Sequence, residues 1–242
     1  MATLMQSYKW ENTQLGSPEG WPESLKTSLR IILKSAYPMF IWWGKDLIMF
    51  HNDAYLPVLG KKHPDCLGKS AKDVWAEIWK DINGFVTSVL DGNTMFAEDL
   101  KLYLERLGFS EETYWTFSYS PIICNNGKVE GLFCACSEET TKVLQKRRLQ
   151  TLIDIADMST RNTTVAQMLN SSVHILCTNE EDVPFAAIYQ IDNSGSRAQL
   201  KAQNGLAKRL DIFDETLELN DTYTNGWQLH KLSLTAPTNL VR

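Results

Sequence analysis

Tyr114-Trp115-Thr116-Phe117-Ser118-Tyr119-Ser120 is the stretch of sequence that decides the fold. Successive side chains of a β-strand point to opposite faces of its sheet, so Trp115, Phe117 and Tyr119 share one face. The other face carries Tyr114, Thr116, Ser118 and Ser120. This alternation predicts a strand that packs its bulky aromatic face against a hydrophobic core.

The residues on either side of this stretch predict further strands. Asn125-Asn126-Gly127 separates residues 112–123 from a second apolar run at 128–136. Asn and Gly tolerate the positive φ angles of tight hairpin turns, so this spacing is typical of a β-hairpin. A third β-favouring run lies just before, at residues 94–105. The three runs predict consecutive antiparallel strands.

A second hairpin is predicted closer to the N-terminus. Residues 39–43 and 47–51 are rich in β-favouring side chains, and Gly44-Lys45-Asp46 between them is a turn signal. Residues 52–90, between the two hairpins, show short helical periods interrupted by glycine and proline. The order strand–strand–helices–strand–strand–strand predicts an α+β fold, with a five-stranded antiparallel sheet and flanking helices.

A long helix is predicted to follow the sheet, at residues 138–159. Leu149, Ile153 and Ala156 form an apolar stripe among charged residues, at the spacing of one helix face. Such a stripe needs a partner surface, which is either the same helix of a second chain, in a coiled coil, or the sheet of its own chain. A second α+β region is predicted from a helix and two strands at residues 165–177, 185–191 and 198–203.

Composition and charge exclude several classes of protein. The 242 residues carry a formal net charge of −5, which offers no electrostatic footprint for nucleic acid. The basic run at 142–148 falls on the predicted helix and is interpreted as a solvated face. Five cysteines, an odd number, fit a reducing compartment. No apolar run approaches the ~20 residues of a membrane span, so we expect a cytoplasmic protein.

The first region resembles a PAS domain of bacterial sensor histidine kinases. The matching residues are Phe50-His51-Asn52-Asp53-Ala54-Tyr55, Leu67-Gly68-Lys69 and the hairpin around Gly127. The exit Glu139-Thr140-Thr141 resembles the acid–X–Thr signature that couples a PAS sheet to its output helix. Residues 145–242 resemble the first part of a GAF domain, through Phe185-Ala186-Ala187-Ile188-Tyr189 and Trp227-Gln228-Leu229-His230.

The resemblance implies four segments: a leader or cap at 1–25, a PAS sensor domain at 26–140, a signalling helix at 141–160, and the truncated N-terminal part of a GAF domain at 161–242. It further implies the input region of a bacterial two-component protein. Such a region relays a small-molecule, redox or light signal through a coiled-coil helix. The expected partners are a second copy of the chain, in a homodimer, and a downstream kinase module.

Two groups of candidate site residues follow from these patterns. Aromatic residues on strands either line a ligand pocket or fill the core, and the pocket candidates are Trp42, Phe50, Trp115, Phe117 and Tyr119. Residues at the exit of the sheet and along the helix stripe are candidates for signal relay: Glu139, Thr141, Leu149, Ile153 and Ala156.

No enzyme chemistry is predicted for this chain. None of the four histidines lies in the His-Glu/Asp–X–X–X–Pro pattern of a phosphoacceptor, and no glycine-rich ATP loop is present. We therefore expect no catalytic residue. Two rival readings stay open: a PAS dimerisation platform without ligand, and a small α+β enzyme, for which no nucleophile with a neighbouring base is evident.

The sequence assigns no cofactor and no metal. Cys66 lies in Pro64-Asp65-Cys66-Leu67-Gly68 and not in the Asn-Cys-Arg-Phe-Leu-Gln setting of a flavin photoreceptor. A haem sensor needs an axial imidazole on the pocket helix, and residues 78–90 contain no histidine. Cys134-X-Cys136 departs from the paired Cys-X2-Cys spacing of a zinc site, and both thiols are interpreted as small core residues.

Overall fold

The protein is described by a computed structural model that covers residues 1–159, 164–205 and 213–219. The chain forms two compact units, Met1–Val143 and Leu144–Arg242. Across the described ranges, every helix is too short or too polar to cross a lipid bilayer.

The first unit contains the predicted five-stranded antiparallel sheet, in the spatial order β2-β1-β5-β4-β3. Its central strands pair in a register that sets Phe40 opposite Cys134 and Phe117 opposite Cys136. The prediction of an α+β fold with this sheet is confirmed. The strands are β1 (Met39–Trp43), β2 (Ile48–His51), β3 (Met95–Leu104), β4 (Glu111–Ile123) and β5 (Val129–Glu138).

Helices precede the sheet and fill the connection between β2 and β3. They are α1 (Ala2–Ser7), α2 (Glu23–Lys34), α3 (Leu56–Leu59), α4 (Ala71–Val74) and α5 (Trp79–Leu90). α2 has an acidic residue in its first turn and a basic one in its last, which complements the helix dipole. α3 and α4 have only four residues each, which agrees with the glycine and proline breaks in the sequence.

β2 begins one residue later than predicted, so the turn between β1 and β2 has four residues and not three. Leu47 has φ +52° and belongs to the turn, so Trp42 pairs with Met49 and Ile41 with Phe50. A shift of one residue moves every side chain of a strand to the other face of the sheet. Phe50 is therefore on the face opposite Trp42.

Different parts of the chain bury the helix-covered face of the sheet and the opposite face of the β1–β2 hairpin. On one face, Trp42, Trp115 and Phe117 pack under α5, which contributes Ile82 and Val86. On the other face, the N-terminal residues and α2 cover the β1–β2 hairpin through a second cluster: Met5, Trp10, Leu25, Leu29, Ile32, Ile41, Trp43, Ile48 and Phe50. Because the hairpin is buried on both sides, its sequence is a continuous apolar run without alternation.

The carboxamide of Asn52 joins three elements at the centre of the first unit. It is 1% exposed, and its Oδ1 accepts hydrogen bonds from the backbone N–H groups of Met39 and Tyr55 at 3.1 Å. Its Nδ2 donates at 2.7–3.2 Å to three carbonyl oxygens, of Ile32, Ser35 and Tyr37. One side chain thus ties the end of α2 to the start of β1 and to the first turn after β2.

The second unit is a mixed α+β arrangement. A capping box of Thr164 and Gln167 starts α7, as expected for a helix with this sequence. The short strand β8 was not predicted, because three residues carry too little pattern. Trp227-Gln228-Leu229-His230 lies outside the described residues, and the GAF assignment stays a prediction. The elements are α6 (Thr140–Ser159), which starts in the first unit, α7 (Val165–Thr178), and the antiparallel strands β6 (Phe185–Ile191), β7 (Arg197–Gly205) and β8 (Thr216–Glu218).

The Asn52 carboxamide gives the first prediction. Asn52→Ala removes all five hydrogen bonds and leaves buried backbone groups unpaired, so we expect the free energy of unfolding to fall by about 3 kcal/mol. Asn83→Ala, at an exposed position of α5, is the matched control and should change stability by less than about 0.5 kcal/mol. Urea unfolding followed by tryptophan fluorescence measures both. Equal midpoints for the two variants would contradict the prediction.

Candidate functional site

The helix-covered face of the first unit encloses a cavity of about 40 Å³. Four strands and the helical connection between β2 and β3 contribute to its wall, so both layers of the fold build it. The lining residues are Phe40, Trp42, Tyr55, Val58, Trp75, Ile78, Ile82, Leu102, Leu104, Trp115, Phe117, Tyr119, Cys134 and Cys136.

Aromatic rings occupy most of the space around this cavity. Phe40 and Trp42 stack with their ring centroids 4.7 Å apart, and Phe117 and Tyr119 lie 4.5 Å apart. Tyr119 also meets Trp42 edge to face at 5.8 Å. Rings at these distances stabilise a core beyond the effect of the area they bury. The same side chains therefore fill the core and line the residual cavity.

Four of the five predicted pocket residues line the cavity: Trp42, Trp115, Phe117 and Tyr119. Phe50 does not, because the register of β2 directs it to the opposite face. There it stacks on Trp10 with a ring-centroid distance of 5.0 Å.

Sequence reasoning missed Phe40, Tyr55 and Trp75 as lining residues. Phe40 precedes Trp42 by two positions on one strand, so the same alternation rule would have found it. Tyr55 lies in a single helical turn and Trp75 at the end of the four-residue α4. Segments this short show no periodicity from which a buried face can be read.

Two hydrogen-bond donors in the cavity wall have no partner in the part of the chain that the structure describes. They are the indole Nε1 groups of Trp42 and Trp75, whose residues are 1% and 2% exposed. The third indole of the wall, Trp115, donates to Thr113 Oγ1 at 2.8 Å. An unpaired buried donor costs about 1–3 kcal/mol, so the two free N–H groups mark where an acceptor would be stabilised.

The wall of the cavity is electrically neutral. Burial raises the pKa of Tyr55, of Tyr119 and of the Cys134 thiol well above their ordinary values. All three groups therefore stay protonated at neutral pH. A charged molecule would lose its hydration here without gaining a counter-ion, which favours an uncharged occupant.

Arg106 links the β3–β4 hairpin to the end of β5. Its guanidinium donates two parallel hydrogen bonds to Glu138, Nη1 to Oε2 at 2.7 Å and Nη2 to Oε1 at 2.8 Å. Burial is the largest single influence and would raise the pKa of Glu138, but the hydrogen bonds and the charge of Arg106, together with a hydrogen bond from Thr140, outweigh it and hold that pKa below its usual range. Such forked pairs combine electrostatic attraction with a defined geometry.

The first residues of α6 are hydrogen-bonded to β4. The backbone N–H of Tyr114 donates to Thr140 Oγ1 at 3.1 Å, and Thr140 Oγ1 donates to Glu138 Oε1 at 2.9 Å. The backbone N–H of Glu139 donates to the carbonyl of Tyr114 at 2.8 Å. The acid–X–Thr contacts thus involve Glu138 and Thr140, one residue before the predicted pair Glu139 and Thr141.

The predicted relay residues occupy different environments. Glu139 accepts a hydrogen bond from Ser137 Oγ at 2.7 Å, whereas Thr141 is exposed. Leu149 and Ile153 on α6 are 58% and 45% exposed, and Ala156 is exposed as well. Leu152 is 64% exposed and extends this apolar stripe. The relay role of these residues stays a prediction.

Within the second unit, Arg147 anchors α6 to the segment after α7. Its Nη2 donates to Asp182 Oδ1 at 2.8 Å and its Nε to Asp182 Oδ2 at 3.1 Å, and Nη1 pairs with Glu181. Asn179 Nδ2 also donates to Asp182, at 3.0 Å. The hydrogen bonds from Arg147 lower the pKa of Asp182 to about 2, against a smaller opposing effect of burial. Sequence reasoning had no signal for this pair, because 35 residues separate its members.

A thiol and an imidazole meet at the end of β2. Cys66 Sγ lies 3.8 Å from His51 Nε2. Burial lowers the pKa of His51 to about 4 and raises the pKa of Cys66 to about 11. Both groups are neutral at physiological pH, which is the opposite of the thiolate and imidazolium of an activated cysteine nucleophile.

The strand order β2-β1-β5-β4-β3, with helices inserted between β2 and β3, decides the fold of the first unit. It is a PAS fold. No family model matches the chain, and no curated protein matches it.

Solved structures similar to this chain include PAS and LOV domains. An RNA-binding light-oxygen-voltage receptor has 14% identity and a TM-score of 0.41 over 60% of this chain and 42% of its own length. The PAS domain of BvgS from Bordetella pertussis has 19% identity and a TM-score of 0.41, over 54% of this chain and 96% of that domain. A sensory box sensor histidine kinase from Vibrio cholerae has 14% identity and a TM-score of 0.33, over 48% and 91%. This chain spans less than half of the first receptor.

The Arg106 fork gives a prediction for the start of α6. Arg106→Gln removes both hydrogen bonds to Glu138. We expect the free energy of unfolding to fall by about 1–3 kcal/mol, and the backbone amides of Tyr114 and Glu139, which are hydrogen-bonded at this junction, to exchange faster with solvent. Arg30→Gln, at an exposed position of α2, is the control and should leave both unchanged. Hydrogen exchange measured by NMR tests this. Protection of the Tyr114 and Glu139 amides that survives Arg106→Gln would show that the fork does not hold the junction.

The Arg147–Asp182 pair gives a prediction for pH. A carboxylate with a lowered pKa stabilises the fold above its ordinary pKa, and this contribution disappears as the pH falls toward 2. In Arg147→Gln, the pKa of Asp182 should rise toward its ordinary value. The control Arg197→Gln breaks a different pair, with Glu218, and should leave it low. Carbon-detected NMR titration of the Asp182 carboxyl measures the change, and an unaltered pKa in Arg147→Gln would refute the assignment.

Proposed function

We propose that the first unit binds a small uncharged molecule carrying a hydrogen-bond acceptor, and that the chain is the sensory input region of a signalling protein. The observation that carries this is the pair of unpaired indole N–H donors, Trp42 and Trp75, in the wall of a neutral aromatic cavity. Either donor gains about 1–3 kcal/mol when it finds an acceptor. A ligand bound between the sheet and the helices would supply this acceptor.

The cavity is so small that a ligand can bind only if the protein changes conformation. A volume of about 40 Å³ accommodates a few water molecules, each needing roughly 10–15 Å³, while small-molecule sites start near about 300 Å³. A ligand of metabolite size must therefore displace aromatic side chains. It binds the displaced arrangement more tightly than the packed one, and this difference in affinity is what shifts the equilibrium.

β4 provides the path from the cavity to α6. Trp115, Phe117 and Tyr119 on one face of the strand line the cavity, and the backbone of Tyr114 is hydrogen-bonded to Glu139 and Thr140. Movement of β4 on ligand binding would alter these bonds at the start of α6. This is the route by which the proposed signal leaves the PAS sheet.

The exposed apolar stripe of α6 supports a homodimer as the signalling form. Leu149, Leu152 and Ile153 are each at least 45% exposed and recur at the spacing of a coiled-coil seam. The more specific role, as input to a bacterial two-component kinase with a GAF domain after the PAS domain, rests on the sequence resemblance. In the competing hypothesis the chain is a dimerisation platform whose cavity stays empty.

A thermal-shift screen separates the two hypotheses. Small uncharged ketones, amides and N-heterocycles should raise the unfolding temperature of the full chain, and their carboxylate analogues should not, because the cavity offers no counter-ion. Trp75→Phe should reduce the shift by removing one donor. Trp21→Phe, outside the cavity, is the matched control and should retain it. Equal shifts for carboxylates and neutral compounds would refute this pocket, and an unliganded dimer with no shift at all would favour the platform.

A further inference from the structure

Three side chains able to bind a metal converge at the end of β2. They are His51, His63 and Cys66, and their candidate ligand atoms all lie within 4.8 Å of one another. His51 is the last residue of β2, and the other two lie in the segment that leads from α3 to α4. None of these three residues lines the ligand cavity proposed above.

The backbone holds these residues in place. The segment containing His63 and Cys66 is hydrogen-bonded to β2, with Met49 N–H donating to Lys69 O at 2.9 Å and Gly68 N–H to Met49 O at 3.1 Å. Cys66 N–H donates to Lys62 O at 3.0 Å, which closes a tight turn around His63. Backbone hydrogen bonds therefore fix the positions of His63 and Cys66 relative to β2.

His51 is oriented as a metal-bound histidine usually is. Its Nδ1 lies 3.1 Å from the carbonyl oxygen of Asn52. A carbonyl only accepts, so Nδ1 carries the hydrogen and Nε2 presents its lone pair to Cys66. A hydrogen bond from the other ring nitrogen to a backbone carbonyl is the common outer-shell arrangement of metal-ligating imidazoles.

The second histidine, His63, also has a ring nitrogen available to bind a metal. Within the described chain, His63 Nδ1 is enclosed by protein and has no hydrogen-bond partner. The ring of His63 meets that of His51 at 85°, with 5.6 Å between centroids. Two residues separate His63 from Cys66, in His63-Pro64-Asp65-Cys66, which is the gap found between the paired cysteines of many zinc sites.

We propose that His51, His63 and Cys66 form a binding site for a zinc ion. Two imidazoles and one thiolate are ligands that Zn²⁺ prefers. Tetrahedral bonds to nitrogen and sulfur would set the ligand atoms about 3.4–3.6 Å apart, and the Cys66–His51 distance of 3.8 Å is already close to this value. On binding, the thiol proton leaves to solvent, so the occupied site carries one net positive charge. Water takes the fourth position, on the side of the partly exposed His63.

Titration of the full chain with Zn²⁺, followed by calorimetry, should show one ion bound per chain. Titration with Co²⁺ should produce a thiolate-to-cobalt charge-transfer band in the near ultraviolet and the intense visible bands of tetrahedral cobalt. These bands report the ligand set directly, without reference to any activity. They also do not depend on whether the aromatic cavity binds a molecule.

Variants identify the ligands. Cys66→Ser should abolish the charge-transfer band and weaken zinc binding beyond the roughly 10–100-fold effect of losing an outer-shell partner. His63→Gln changes a partly exposed residue that should not be needed for folding, and it should weaken zinc binding while the sulfur band remains. Cys124→Ser and His174→Gln, at positions away from the cluster, are matched controls and should bind like the original chain.

Two results would overturn the proposal. One is the absence of zinc binding and of the cobalt charge-transfer band in the folded original chain. The other is a Cys66→Ser or His63→Gln variant that is folded by circular dichroism and binds zinc as tightly as the two controls.

Discussion

The first unit depends on the buried carboxamide of Asn52, which is hydrogen-bonded to five backbone groups. Those groups belong to the end of α2, the start of β1 and the turn after β2, so one side chain sets how three elements meet. The nitrogen and the oxygen of this buried amide are both hydrogen-bonded. Any other arrangement of the three elements would leave several polar groups unpaired in the core. The same hydrogen bonds fix the backbone on both sides of Asn52. They direct His51 toward Cys66 and His63, and Tyr55 toward the aromatic cavity.

The two faces of the sheet are packed differently because different segments of the chain cover them. The N-terminal residues and α2 seal one face with Trp10, Leu25 and Phe50, where the packing is that of an ordinary core. The other face packs against short helices, and its rings leave a small neutral cavity with two unpaired donors. Three of the side chains in this wall, Trp115, Phe117 and Tyr119, belong to the single strand β4.

Polar contacts and apolar exposure are distributed unevenly along α6. Its first residues are fixed by hydrogen bonds to β4 and lie beside the Arg106–Glu138 fork, which is a directional connection. Further along, Arg147 joins the helix to Asp182 of the second unit, while Leu149, Leu152 and Ile153 remain exposed. The hydrogen bonds at the start of α6 and the exposed apolar stripe further along are the two features on which the proposed relay rests.

The sequence by itself determined most of the elements of the first unit and four of the fourteen residues that line the cavity, because local period and turn chemistry depend only on near neighbours. The alternation around Trp115, Phe117 and Tyr119 placed those rings on one face, and the structure agrees. Phe50 was misplaced because a wholly apolar strand has no alternation, and the extra turn residue Leu47 reverses its face. Only the tertiary structure decided the Arg106–Glu138 fork, the unpaired indoles of Trp42 and Trp75, and the meeting of His51 with His63 and Cys66. These are contacts between distant segments, and their geometry follows from how the layers pack and not from any pattern within one segment.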